Sequence, residues 1–106
     1  MIQYGERNAL KLQLLRRPVD EKKFKHILGR NRVKRIAVFG SYATGKVNMR
    51  SDIDFLVEFE QEADLLDQVG LKLDLQELLE KKVDVVTPNS LSQYLRDKIL
   101  AQAIYL

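Results

Sequence analysis

Two short apolar segments joined by a glycine-broken polar link constrain this chain more than any other feature. Val33 to Phe39 reads VKRIAVF and Asp52 to Phe59 reads DIDFLVEF. Both are too short and too rich in β-branched and aromatic residues to stand as helices, so both are predicted core strands. Successive side chains leave a strand on opposite sides. In the second segment this puts Ile53, Phe55, Val57 and Phe59 on one face and Asp52, Asp54, Leu56 and Glu58 on the other. One face can pack on helices while two aspartates point together into a cleft.

The link adds a second piece of chemistry. Gly40-Ser41 breaks the first strand, and Tyr42-Ala43-Thr44-Gly45 is predicted to form a short helix capped by Ser41 and ended by Gly45. A strand feeding a helix N-terminus makes a phosphate-binding corner, where Gly40 allows close backbone approach and Ser41 donates hydrogen bonds. Lys46 and Arg50, in the polar connection that follows, are candidate phosphate contacts. A third aspartate, Asp84, interrupts another β-branched run, Val83 to Thr87, which stops at Pro88.

Taken singly, each aspartate is an ordinary turn or edge residue. Three of them in apolar strands are harder to accommodate, because carboxylates brought together repel and burial without a partner is costly. A divalent cation relieves both problems. The chain has no cysteine, so a metal site must use carboxylates, the single His26 or water, a donor set that favours Mg²⁺ or Mn²⁺. Asp52 and Asp54 are the expected ligands of two such ions, with Asp84 as a further ligand or as the base for an acceptor hydroxyl. The chemistry this suits is in-line nucleotidyl transfer at an α-phosphorus.

Helical patterns fill the remainder. Residues 1–17 lean helical up to Pro18; Asp20 is a candidate N-cap for a second helix carrying Phe24, Ile27 and Leu28, with Gly29 as its left-handed terminator. From Ala63 to Lys81, Leu65, Leu66, Val69, Leu73, Leu75, Leu78 and Leu79 describe an amphipathic helix that Gly70 is expected to weaken or kink. A last helix is predicted from an Asn89 or Ser90 cap, with Leu91, Tyr94, Leu95, Ile99, Leu100, Ala103 and Ile104 packed back on the sheet. His26 is expected at the surface rather than as a ligand.

The 106 residues suit one domain. Short strands among helical segments make the expected class α/β (α+β). Hydrophobic residues at 45% and charged residues at 31% exclude a disordered chain, and no apolar run approaches the roughly 20 residues of a membrane span. A cytoplasmic protein with no membrane partner is the expectation.

The net charge of +3 hides an asymmetry: residues 1–50 carry thirteen Lys/Arg against three Asp/Glu, and residues 51–106 carry five against twelve. A basic half allows a nucleic-acid-binding reading, but no recognised reading motif is present and the second half is acidic, so nucleic acid is ranked last as a direct ligand.

The ordered set Gly40-Ser41, Asp52-Ile53-Asp54 and Asp84 resembles the polymerase β-type nucleotidyltransferase superfamily. More narrowly, Val38-Phe39-Gly40-Ser41-Tyr42-Ala43, Ser51 to Val57, Lys82 to Pro88 and Arg96 to Leu100 resemble the minimal nucleotidyltransferases, MntA-like proteins, over roughly residues 20–106. The resemblance implies a small mixed sheet flanked by helices, in a minimal nucleotidyltransferase domain over 19–106 preceded by a helical extension over 1–18. It also implies ATP or another NTP as donor, two divalent ions, and an antitoxin role beside a HEPN-domain toxin to which AMP is transferred. The alternative is an antitoxin that neutralises by binding alone. Minimal members often carry arginine where this chain has Thr44, which lacks a planar phosphate clamp. So short a chain leaves little surface for base and acceptor, which points to a partner or a homo-oligomer completing the site.

Overall fold

A computed structural model describes residues 11–106. Its sheet holds β1 (Val33–Phe39), β2 (Ile53–Phe59), β3 (Val83–Val86) and β4 (Ile104–Tyr105) in the order β3-β2-β1-β4. β1 runs antiparallel to β2 and β4, whereas β2 and β3 are parallel. A parallel pair needs a long crossover, and the helix Leu65–Leu79 provides it. The helices, in chain order, are α1 (Glu21–Arg30), α2 (Ser41–Thr44), α3 (Leu65–Leu79) and α4 (Gln93–Gln102). Among the described residues no helix is long and apolar enough to cross a membrane.

The predicted strand parity sets the core. Ile53, Phe55 and Val57 are fully buried and join Ile36, Val38 and Val83 under Phe24 of α1 and Leu71, Leu75 and Leu79 of α3. Burial of each such side chain contributes about 1.5–3 kcal/mol relative to exposure. On the opposite face Ala37 and Leu56, partners across β1 and β2, are also sealed. The second face is thus sealed at its middle, with the aspartates at one end and the exposed Arg35–Glu58 pair at the other.

Several helix ends differ from expectation. Most of the helix predicted over residues 1–17 lies outside the described residues; within them a 3-10 turn spans Gln13–Leu15 and Arg16 turns left-handed ahead of Pro18. Leu12 and Leu15 are core residues, and the Arg17 guanidinium donates to the Leu79 carbonyl at the C-terminal end of α3, where a cation suits the helix dipole. Asp20 caps α1 as predicted, accepting from the Lys23 amide at 3.1 Å. Gly29 does not end that helix. Asn31 does, donating from Nδ2 to the Ile27 carbonyl at 2.9 Å and to Asp74 Oδ2 at 2.8 Å, and Arg32 takes the left-handed turn instead.

Helix α3 starts with a reciprocal cap between Asp64 and Asp67. Its predicted stripe divides in two. Leu75 and Leu79, with Leu71, which the predicted stripe lacks, are buried, while Leu65, Leu66, Val69 and Leu73 face outward. Apolar residues occupy both sides of this helix, so spacing alone could not separate them. Gly70 leaves the helix continuous, and its missing side chain makes room for Asn31, whose Oδ1 would lie 2.7 Å from a Cβ there.

The last helix is capped by Ser92, which accepts from the Leu95 amide at 3.3 Å; Asn89 and Ser90 belong instead to a separate 3-10 turn opened by Pro88. No residue of α4 is buried, and Tyr94 is 69% exposed rather than packed. The helix is fastened at its ends, by Arg96 to the Pro88 and Leu91 carbonyls and by Gln102 to the turn after β1. Ile104, placed on the helical stripe by its spacing, belongs to β4.

Candidate active site

The aspartates gather where β2 and β3 run parallel. Register pairs Asp54 with Asp84, so their backbones are neighbours about 4.8 Å apart, and both side chains leave the same face. Asp52 precedes β2 on that face. Burial, reinforced by the charges of Asp84 and then Asp52, pushes the Asp54 carboxyl up to about 6. Asp84 is exposed and Asp52 half-exposed.

Antiparallel pairing brings Phe39 opposite Asp54, which sets Gly40 beside that carboxylate. Gly40 has φ 71° and ψ −147°, a region open to glycine almost alone, and any Cβ there would collide with Asp54 Oδ2. Two independent requirements thus fix glycine at this position. Gly40, not Ser41, takes the cap position of α2; Ser41 is the first helical residue, and Gly45 ends the helix with φ 82°, as predicted. The Gly40 amide donates to Gln102 Oε1 at 2.8 Å, so the turn is held from the far end of the chain.

The basic candidates behave differently. Lys46 and Arg50 are exposed in the link, and among the described residues no ion pair joins them to an aspartate. Thr44 turns its hydroxyl back on its own helix, 3.2 Å from the Gly40 carbonyl. The cation that does reach the carboxylates is Lys82, 4.0 Å from Asp52 Oδ2. Its position two residues before Asp84 gives it the same face, a signal present in the sequence. Gln102 had no such signal, being 62 residues from its partner. His26 is exposed on α1, lining a groove against α3 that includes Asp74 but none of Asp52, Asp54 and Asp84.

Among the described residues no three carboxylate or imidazole groups close around one point as a complete metal cage. An all-oxygen, one-sided donor set with a destabilised carboxylate at its centre nevertheless fits Mg²⁺, which commonly takes one or two carboxylates and completes its shell with substrate phosphates and water.

A mixed sheet carrying a glycine turn opposite a strand Asp-x-Asp, with a third aspartate on the parallel neighbour, is the arrangement expected of a nucleotidyltransferase. The family model for the nucleotidyltransferase domain matches residues 21–106, and the chain belongs to that family. It is 50% identical over 78 residues, 74% of this chain and 84% of the relative, to a Methanocaldococcus jannaschii protein assigned by inference as a protein adenylyltransferase. It is 38% identical to the protein adenylyltransferase MntA of Thermococcus cleftensis, over 70% of this chain and 75% of that one.

Among solved structures, a protein inferred to be a minimal nucleotidyltransferase superposes with a TM-score of 0.73 at 35% identity, covering 93% of this chain and 94% of its own. A toxin-antitoxin structure with AMP-PNP gives 0.67 at 29% identity, covering 82% and 72%. A Shewanella oneidensis complex of a tri-AMPylated HEPN toxin with its MNT antitoxin gives 0.58 at 27% identity, covering 79% and 66%. The expected family and fold are thereby borne out: this is a nucleotidyltransferase of the minimal kind.

Proposed function

We propose that the chain is a metal-dependent protein adenylyltransferase that moves AMP from ATP to a hydroxyl of a HEPN-type toxin and so acts as its antitoxin. The observation that carries this is Asp54, a half-buried carboxyl raised to about 6 between two further aspartates and directly beside the Gly40 turn. Such a cluster is unfavourable by itself and becomes favourable once a divalent cation neutralises it and can bridge to phosphate. The names of the relatives, the AMP-PNP-bound neighbour and the AMPylated HEPN toxin in complex with its antitoxin support the donor and the acceptor.

Asp52 and Asp54 would hold Mg²⁺, in two ions by the family resemblance, with Mn²⁺ an acceptable substitute. When bound, the metal supplies neutralisation of the triphosphate and lowers the pKa of an oxygen nucleophile. Gly40 lets the Asp54 carboxylate lie against the turn, and Ser41 offers its hydroxyl at the start of α2. Lys46 and Arg50 stand in the adjoining link as solvated charges able to meet the phosphate chain. The acceptor oxygen bonds to the α-phosphorus as its bond to pyrophosphate breaks, and Asp84 takes the acceptor's proton or serves as a further ligand.

The test is transfer of label from α-labelled ATP to the co-purified partner. Asp54→Asn and Asp52→Asn are expected to lower it by at least about 100-fold, the scale of losing a group that acts in the transition state. Unchanged labelling would sink the proposal. The Thr44 hydroxyl, engaged with its own helix, favours a second reading, neutralisation by binding alone. In that case both variants still neutralise the toxin and no AMP is found on it.

A further inference from the structure

We propose that Lys82 is the protein's own phosphate-binding cation at this site, a residue that contacts the triphosphate of the incoming nucleotide; the assignment rests on the adenylyl-transfer reading above. Parallel register places Ile53 beside Val83 and Asp54 beside Asp84. Outward by one residue, the Ile53 amide donates to the Lys82 carbonyl at 3.0 Å, which carries the pairing to the very edge of the aspartate cluster. Lys82 is two residues from Asp84 and therefore leaves the same face. Its ammonium stands 4.0 Å from Asp52 Oδ2.

That pair is long, and its side chains are 69% and 38% exposed, so it is weak and solvated. The ammonium keeps donors free for another oxygen. Neighbouring Lys81 is engaged elsewhere. Its Nζ donates to the Met49 carbonyl at 3.0 Å, tying the link to the segment just before β3. Among the described residues Lys82 is the lysine or arginine that forms an ion pair with one of the three aspartates. A triphosphate approaching three carboxylates needs such a charge. Thr44, after the glycine turn, offers no such charge, and its hydroxyl is turned back on its own helix.

The experiment is calorimetric titration of ATP in Mg²⁺ buffer into the wild type, Lys82→Met and Lys82→Arg, with a thermal melt of each free protein. Lys82→Met is expected to melt like the wild type and bind ATP about 5–10-fold more weakly, Lys82→Arg to regain most of that loss, and the difference to shrink in high salt. Wild-type affinity in Lys82→Met would overturn the assignment, as would a loss that arginine does not restore. A wild type that binds no ATP would remove the adenylyl-transfer reading itself, and this assignment with it.

Discussion

Asp54 occupies the one position where every local force acts against its charge. It is desolvated by the sheet and faces Asp84 and Asp52, and its carboxyl rises from 3.8 to about 6. A carboxyl raised on folding contributes stability that is fully present below its unfolded pKa and lost as pH rises through its folded pKa. The metal-free protein should therefore become more stable as pH falls from about 7.5 toward 5. Asp54→Asn should flatten that part of the profile and raise stability at pH 7.5 by about 1 kcal/mol, once partial exposure is discounted. Urea melts across pH check both, and parallel profiles for the two proteins would contradict them. The aspartates were legible in the sequence because strand parity puts them on one face. Lys82 was equally available by parity, but its meaning depends on the parallel register of β3 with β2, which is a tertiary fact.

At the scale of elements, α3 explains why some expectations failed. A helix with apolar residues on both sides gives a periodic pattern whichever side is buried, and only the sheet decides. Leu75 is fully buried and Leu73, two positions earlier, is exposed. Leu75→Ala should cost about 3 kcal/mol and Leu73→Ala less than about 0.5 kcal/mol by urea denaturation. Similar costs would mean that the outward face of α3 is covered in solution. The strands were legible because their β-branched runs are short and bounded by glycine and proline. Helix ends were less so: Asn31 replaces Gly29 as terminator through bonds to Ile27 and Asp74, and the latter lies 43 residues away.

For the molecule as a whole, three ion pairs join the basic first half to the acidic second half. Arg30 meets Asp74 at 3.5 Å, Arg32 meets Asp67 at 3.9 Å and Arg35 meets Glu58 at 3.3 Å, each a cation of the first half against an anion of the second. These exposed pairs add little stability singly. The family match begins at residue 21, yet Leu12 and Leu15 sit in the core and Arg17 reaches the end of α3. Deletion of residues 1–17 should therefore lower stability by about 3 kcal/mol or more, the scale of two buried leucines. A thermal melt of the shortened chain with an unchanged midpoint would make the segment a mere appendage.

The bond from Gly40 to Gln102 gives the site a place in time as well as in space. Asp52, Asp54 and the glycine turn precede residue 102 in the chain, so the turn's amide acquires its partner only when that residue has followed. Because the contact spans 62 residues, closing its loop costs more entropy than forming the turn itself. A growing chain thus holds Gly40 and Asp54 before it holds the glutamine that fastens the turn.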